Sequence, residues 1–151
     1  LAVVTLAVLV FASGAAMVAA MALGADGIQA GSLFAVAEES SAHPDFKRLV
    51  TSLKEGDTQL ALKKLAPVRL IKNTFFREVA EAEARGASAE ELSSLLGKGR
   101  AKKGIFEGDL EQGELEIGQV SSMLHAIEPV SVIMDRLMRE AEETRARLTS
   151  S

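Results

Sequence analysis

The sequence contains no cysteine, tryptophan or tyrosine, and phenylalanine is the only large aromatic residue present. The absence of cysteine excludes disulfides, thiolate catalysis and cysteine-ligated zinc, and it is typical of a cytoplasmic protein. The shortage of aromatic rings and a formal net charge of -4 argue against nucleic acid as a partner, because such proteins use stacking rings or a basic surface. His43 and His125 are too isolated to predict a metal site, so we expect no metal.

Charged residues are also missing from the beginning of the chain. The 151 residues are 48% hydrophobic and 25% charged, which suits one domain with a real core. Leu1 to Ala25 nevertheless carries no ionisable side chain. Because a lone parallel strand has no neighbour to pair with, we expect this chain to be part of a larger protein.

Three interpretations compete for this uncharged segment. A transmembrane helix needs about 20 apolar residues, and a signal peptide needs fewer. No lysine or arginine precedes Lys47, so the charged flank that orients both kinds of segment is missing. We favour a strand–helix–strand unit, with strands at Val3–Phe11 and Gly27–Ala30 and a helix between Ser13 as cap and Gly24 as stop.

The second strand of this unit runs into a turn at Gly31 and Ser32. Glycine allows a ligand to approach the backbone closely, and serine adds a hydroxyl donor. Such a turn can direct backbone N–H groups at a phosphate. Many buried strands end in Gly-Ser, so this pattern alone does not establish a binding site.

The remaining chain is predicted to be mainly helical. A capping box at Ser88–Glu91 and a proline at position 129 mark two helix starts. The predicted helices cover the region of Phe46 to Val50, a segment capped by Asp57 with Leu60, Leu62 and Leu65, Thr74–Arg85, Ser88–Leu96, Glu114–His125 and Pro129–Leu148. The alternating segment Pro67–Lys72 is predicted to be extended.

Several polar groups have an ordinary structural explanation beside a functional one. Lys98–Lys103 offers charges for a phosphate, but without interleaved aromatics a solvated loop is favoured. Glu107–Glu116 lacks the ligand spacing of a calcium loop and is interpreted as a surface turn. His43 precedes a proline and suits a helix start, whereas His125 is expected at a helix end.

Gly118 falls inside one of the predicted helices, where glycine costs about 1 kcal/mol relative to alanine. Either a ligand approaches the backbone there, with Gln119 hydrogen-bonding to it, or two helices pack tightly. The sequence leaves both explanations open.

Six segments together resemble the C-terminal half of FMN-dependent enoyl-acyl-carrier-protein reductase II, which shares its barrel with the nitronate monooxygenases. These segments are Ser13–Gly24, Ala25–Phe34, Glu39–Pro44, Pro67–Asn73, Gly97–Asp109 and Gly113–Gln119. The resemblance implies an α/β fold: a partial TIM barrel, consisting of the last two βα units, followed by a mainly helical C-terminal region. The implied divisions are the end of a flavin-binding barrel at 1–45, a helical insertion or cap at 46–128, and a C-terminal helix at 129–151.

The resemblance also implies which residues bind the cofactor. Gln29, Gly31 and Ser32 correspond to residues that hold the FMN phosphate and adjoining groups, and Gly118 and Gln119 correspond to a segment near the flavin. Leu9 and Val10 stand where the family has a Gly-Gly turn, a departure that affects half of the phosphate site. Neither histidine lies in a segment matching the catalytic histidine of the family, so the catalytic residues are unknown.

The implied activity is reduction of an enoyl-acyl-carrier-protein thioester by NAD(P)H through FMN, in a cytoplasmic enzyme of fatty acid biosynthesis that can form homo-oligomers. Oxidation of small alkyl nitronates is the alternative. Because six barrel strands are missing, the isolated chain is expected to be inactive. A hypothesis of a different class is a membrane-anchored helical interaction module, with Leu1–Leu23 as its anchor.

Overall fold

The computed structural model describes residues 6–8 and 11–150. The chain divides into two compact units, one formed by Leu1–Ser40 with Ala126–Ser151 and the other by Ser41–His125. The strands are β1 (Leu6–Val8), β2 (Gly27–Gln29), β3 (Thr58–Ala61) and β4 (Val68–Ile71). The α-helices are α1 (Gly14–Ala22), α2 (Gly31–Ala35), α3 (Pro44–Ser52), α4 (Thr74–Ala84), α5 (Ala89–Leu96) and α6 (Val130–Thr149).

The first unit contains the predicted strand–helix–strand arrangement. β1 and β2 are parallel, and the register places Val8 opposite Gln29. The Ser13 side chain accepts a hydrogen bond from the Ala16 amide at 3.2 Å, so Ser13 is the predicted cap of α1. Gly24 takes a φ of 98° just after this helix, a value that favours glycine. The predicted strand included Phe11, but Phe11 belongs to the segment that leads into the cap, and positions 3–5, 9 and 10 lie outside the described residues.

A membrane anchor spanning Leu1–Leu23 would require one continuous helix. The strand β1 and the nine-residue helix α1 occupy this region instead. Among the residues that the structure describes, no helix combines the length and the apolarity needed to cross a membrane.

Helix α6 packs closely against α1 in the first unit. It buries Ile133, Leu137 and Ala141 as predicted, although Pro129 is its N-cap and the helix begins at Val130. The Gly14 amide donates to Glu140 Oε2 at 2.8 Å. A methyl group at Gly14 would overlap the Leu137 carbonyl oxygen and the Ala141 nitrogen. The absence of a side chain at Gly14 therefore sets how closely the two helices approach.

The second unit is built on an antiparallel hairpin of β3 and β4. The prediction of a helix at Leu60–Leu65 is wrong, because Thr58–Ala61 pairs with Val68–Ile71. Asp57 does not cap a helix; its carboxylate accepts from the Lys54 amide at 2.7 Å and closes a turn. The extended segment predicted at Pro67–Lys72 is confirmed as β4.

Helices α3, α4 and α5 lie where the sequence predicts them. The capping box is complete, since Ser88 Oγ accepts from the Glu91 amide and Glu91 Oε2 accepts from the Ser88 amide. Gly86 follows α4 with a φ of 83° and ends that helix. The hairpin and helices α4 and α5 enclose a core of buried residues: Ala61, Leu62, Leu70, Phe75, Phe76, Val79, Ala82, Ala87 and Leu92.

The helix predicted over Glu114–His125 is wrong. The Ile71 amide donates to the Leu115 carbonyl at 3.0 Å, and the Ile117 amide donates to the Arg69 carbonyl at 3.2 Å. Residues 115–117 therefore lie alongside β4 as an extended segment, with Leu115 and Ile117 buried and Glu116 exposed between them. A 3₁₀ helix follows at Gln119–Met123. His125 lies beyond that helix in irregular, exposed chain, so it does not contact the last carbonyls of an α-helix as predicted.

Candidate functional site

The turn from β2 into α2 contains three of the five predicted cofactor residues. Gln29 ends the strand, Ala30 is the N-cap, and Gly31 and Ser32 open the helix. The N-cap makes no side-chain hydrogen bond, and no acidic residue stands in the first turn of α2. Beyond its chain neighbours and its own helix backbone, no atom of the described residues lies within 4 Å of the position that a Gly31 Cβ would occupy. The turn therefore leaves room beside its backbone, as close approach of an anion requires.

The end of β1 lies beside this turn, because the parallel register pairs Val8 with Gln29. The predicted departure at Leu9 and Val10 falls on the two residues that follow β1, and both lie outside the described residues. Of the two turns expected to hold the phosphate, the structure therefore describes only the one after β2.

Gly118 and Gln119 belong to the second unit, and Gly118 does not lie inside a helix. Gly118 is extended, with φ -71° and ψ 165°, and serves as the N-cap of the 3₁₀ helix that Gln119 begins. The cost of a glycine inside a helix therefore does not arise, and a role of Gly118 and Gln119 beside a ligand stays a prediction. Gln119 is exposed, and its Oε1 accepts a hydrogen bond from Arg69 Nη2 at 3.3 Å.

His43 is the N-cap of α3, as its position before Pro44 predicts. Its Nδ1 accepts from the Asp45 amide at 3.2 Å, and its backbone amide donates to the Ile105 carbonyl at 2.7 Å. The imidazole also covers Gly108, whose φ is 82°. His43 therefore has a structural role at a helix start. The described residues contain no group of three or more side chains suited to hold a metal ion.

The basic segment Lys98–Lys103 is less irregular than the predicted loop. Its second half enters a helical turn that continues into a π-helix at Lys102–Phe106. Lys102 pairs with Glu107 at 3.2 Å, and Lys103 pairs with Asp109 at 2.8 Å. Gly104 and Gly113 meet backbone to backbone, because a Cβ on Gly113 would overlap Gly104 Cα.

The acidic segment Glu107–Glu116 is a surface turn only in its first half. Asp109 organises that half by accepting from the Glu111 and Gln112 amides at 3.1 and 2.8 Å. The hydrogen bond from Lys103, together with these amides, lowers the pKa of Asp109 below its usual value. Glu114 and Leu115 in the second half are buried, contrary to the prediction.

Glu114 is a buried acid, with only 7% of its surface exposed. Burial, followed by the neighbouring Glu116 carboxylate, raises the pKa of Glu114 to about 7, and Arg100 acts in the opposite direction. Arg100 itself donates to the Leu95, Leu96 and Gln112 carbonyls and lies 4.4 Å from the centre of the Phe75 ring.

Replacing Glu114 with glutamine is expected to stabilise the protein at high pH only. Because the pKa is raised in the folded state, the protonated acid favours folding below about pH 4.5, and this contribution is lost as the pH rises through about 7. At pH 8 the variant should gain about 1–2 kcal/mol, or about 3–6 °C in Tm, and nothing at pH 4.5. Glu55→Gln, at an exposed acid of the same unit, is the control. If the Tm of wild type and the Tm of Glu114→Gln change with pH in the same way, the expectation is wrong.

Two polar side chains that the sequence analysis did not single out organise this unit. Arg69 joins the hairpin to Gln119, and Asn73 caps α4 while it holds the loop at residues 110–113. An asparagine immediately before a predicted helix is a cap signal, so Asn73 could have been found. No sequence signal indicated the Arg69 contact. Ser121, 1% exposed, has an Oγ without a hydrogen-bond partner among the described residues.

Comparison with known proteins places this arrangement in a family. A family model for nitronate monooxygenase matches residues 10–140. The chain belongs to the nitronate monooxygenase family. A probable nitronate monooxygenase of Bacillus subtilis is 30% identical over 123 residues, which are 81% of this chain and 35% of that protein.

Two solved structures resemble this family member over nearly its whole length. FabK from Thermotoga maritima is 30% identical, with a TM-score of 0.89, over 99% of this chain and 48% of that chain. A nitroalkane oxidase from Streptomyces ansochromogenes is 30% identical, with a TM-score of 0.72, over 95% of this chain and 40% of that chain. The chain thus has a mixed α/β fold like theirs and spans less than half the length of each.

Proposed function

We propose that this chain forms the C-terminal part of an FMN-dependent oxidoreductase that reduces enoyl-acyl-carrier-protein thioesters with NAD(P)H. The turn at Gln29, Gly31 and Ser32 carries the proposal, because it joins a parallel strand to a helix and leaves open space beside Gly31. Phosphate groups bind at such turns after the late strands of TIM barrels. The likeness to FabK supports the enoyl reductase activity.

The residues at this turn fit a phosphate group. Backbone N–H groups in the first turn of α2 supply donors, and no acidic side chain in that turn repels an anion. We assign Gly31 and Ser32 to the FMN phosphate and Gln29 to an adjoining group. Gly118 and Gln119 are assigned to the vicinity of the flavin. When bound, FMN supplies hydride transfer between NAD(P)H and the substrate. The contribution of these side chains and amides is to bind and orient it.

The proposal extends to the architecture. β1, α1, β2 and α2 are taken as the last two βα units of a TIM barrel, residues 46–128 as a helical insertion, and 129–151 as a closing helix. Such a part, tested alone, is expected to show little or no turnover, because a partial barrel leaves strand edges unpaired and apolar faces uncovered, which favours aggregation or association. A cytoplasmic location, an acyl-carrier-protein partner and homo-oligomer formation belong to the same proposal.

Nitronate oxidation is the second candidate, favoured by the family model and by the Bacillus subtilis relative. The two activities are distinguished by measuring NAD(P)H consumption with a crotonyl-type thioester against nitronate-dependent oxygen uptake in the full-length protein. Thioester-dependent NAD(P)H consumption supports the first candidate. Oxygen uptake with nitronate and no thioester reduction would replace it with the second.

Replacing Gly31 with alanine is expected to weaken FMN binding about tenfold or more without loss of stability. The added methyl group meets no neighbouring atom in the part of the chain that the structure describes, and alanine is the better helix former, so Tm should stay constant or rise slightly. The same methyl group would occupy the space through which the phosphate approaches the backbone. Quenching of FMN fluorescence measures the affinity, and thermal unfolding measures the stability.

Ala19→Ser provides a control on the exposed side of α1, where both affinity and Tm should match wild type. Unchanged FMN affinity in Gly31→Ala would place the phosphate elsewhere and contradict the proposed site. Loss of affinity together with a large fall in Tm would also contradict it, because the open space at Gly31 predicts no structural damage.

A further inference from the structure

Helices α1 and α6 of the first unit form an apolar groove with a volume of about 380 Å³. Its walls include Met17 and Met21 of α1 and Met138, Ala141, Glu142 and Arg145 of α6. Because α1 contains only glycine, alanine, valine and methionine, it has no polar face to turn toward water. Met21 and Met138 are nevertheless about half exposed. A helix that is apolar on every side is typical of a buried position, which indicates that another surface covers this groove.

Exposed apolar side chains continue along α6 beyond the groove. Met134, Met138, Ala141, Arg145 and Leu148 follow one another at intervals of four, three, four and three residues. This is the spacing of the contact seam in a coiled coil, where one helix packs lengthwise against another. Met134, Met138 and Leu148 are 43%, 48% and 63% exposed. The seam therefore indicates that a helix occupies the groove.

Two side chains of opposite charge stand beside the seam. Glu142 and Arg145 are exposed and lie one turn apart, and neither side chain forms an ion pair or a hydrogen bond within the described part of the chain. A partner of uniform charge would attract one of them and repel the other. A second copy related by a two-fold axis presents both signs in reverse order, so that each acid can meet a base. The charges therefore favour a second copy as the occupant.

A two-fold axis perpendicular to α6 makes the two copies of this helix antiparallel. The pairing that sets Arg145 of one copy beside Glu142 of the second also sets Met138 beside Leu148, because both pairs have nearly the same midpoint on α6. A polar residue at a seam position lowers stability but specifies the register of the pair. Arg145 therefore selects the register in which its charge is matched by an acid.

We propose that the groove between α1 and α6 is a homodimer contact, in which α6 of a second copy packs antiparallel along the seam and Glu142 and Arg145 form two reciprocal ion pairs. The inference rests on the proposed function only for the expectation that copies of this protein associate. It adds the surface and the register of that association. The groove and the seam belong to the first unit alone, so the contact requires neither bound flavin nor the second unit.

Charge exchange tests the pairing directly. Glu142→Arg and Arg145→Glu each bring like charges together at two places in the dimer, whereas the double variant restores both ion pairs with their signs exchanged. Glu143→Arg is the matched control, because Glu143 is exposed on the side of α6 opposite the seam. Met138→Glu places a charge in the apolar part of the seam. Its control is Val132→Glu, at an exposed apolar residue of α6 that lies off the seam.

Sedimentation equilibrium of the full-length protein measures the Kd of the dimer, and circular dichroism and FMN titration check the fold and the flavin site. We expect wild type to be a dimer at micromolar concentration. The two single charge variants and Met138→Glu should raise the Kd about tenfold or more, and the double variant should return it to within about threefold of wild type. Both controls should match wild type. Helix content and FMN affinity should stay constant, because the altered side chains are exposed.

The outcomes distinguish the inference from the proposed function. A wild-type protein that stays monomeric at high concentration covers the groove with another part of its own chain, and the inference is then wrong. It is also wrong if the single charge variants leave the Kd unchanged, or if the double variant fails to restore it. If wild type binds no FMN, the proposed function fails, while the Kd values still decide whether this surface joins two copies.

Discussion

Gly14→Ala is expected to lower the free energy of unfolding by about 3 kcal/mol and Tm by about 6–12 °C. The new methyl group would overlap the Leu137 carbonyl oxygen and the Ala141 nitrogen, which are backbone atoms of α6 and cannot rotate away. Relief requires α1 and α6 to separate, which would also lengthen the bond from the Gly14 amide to Glu140 Oε2. The better helix propensity of alanine offsets at most about 1 kcal/mol of this loss.

Thermal and urea unfolding measure the effect of Gly14→Ala. The matched control is Ala15→Gly, an exposed position in the same helical turn, where only the propensity cost of about 1 kcal/mol is expected. If Gly14→Ala unfolds at the wild-type temperature, the close packing of α1 on α6 is not a feature of the folded protein.

Asn73→Ala is expected to cost about 2–3 kcal/mol. Asn73 Oδ1 accepts from the Phe76 amide at 2.9 Å and caps α4, and Nδ2 donates to the Leu110 and Gly113 carbonyls at 3.0 and 2.8 Å. Removal of the side chain loses the cap and leaves two partly buried carbonyls without this donor. Denaturant unfolding measures the change.

Asn73→Asp separates these two roles. Aspartate still caps the helix and places a negative charge at its N-terminus, which is favourable. It cannot donate, however, and it sets a carboxylate oxygen against the same two carbonyl oxygens. We expect a loss close to that of the alanine variant. Full stability in Asn73→Asp would mean that the cap alone accounts for the contribution of this residue.

The elements that the sequence predicts well are those with local chemical signals. Ser13, Ser88 and Asn73 each stand one residue before an α-helix and accept a hydrogen bond from its first turn. Gly24 and Gly86 end helices with positive φ values that glycine adopts without strain. These signals depend on a few neighbouring residues, so the sequence alone reveals them.

The elements that were missed depend on distant partners. Thr58–Ala61 is a strand because Val68–Ile71 lies beside it, and residues 115–117 are extended because they continue the same ladder. Leu115 and Ile117 alternate with exposed Glu116, a period of two that the helical interpretation of this segment overlooked. Leucine has high helix propensity, and pairing with β4 overrides it here.

The candidate site was predictable in part for the same reason. The turn at Gly31 and Ser32 is a local pattern and lies where a strand meets a helix, as expected. The hydrogen bond from Arg69 to Gln119 joins residues fifty positions apart along the chain. No local pattern contains that information, and only the hairpin brings the two side chains together.

The first unit closes on itself where the chain leaves and re-enters it. The Glu38 amide donates to the Glu128 carbonyl at 3.0 Å, and the Glu39 carboxylate accepts from the Val130 amide at 2.9 Å. The residues between these two hydrogen bonds form one long inserted segment that leaves and re-enters the first unit at the same place. Insertions or deletions within this segment need not distort the first unit, because the two hydrogen bonds hold the ends of the segment together whatever its length. Relatives of this protein can therefore differ widely in the length of that segment while they keep the fold of the first unit.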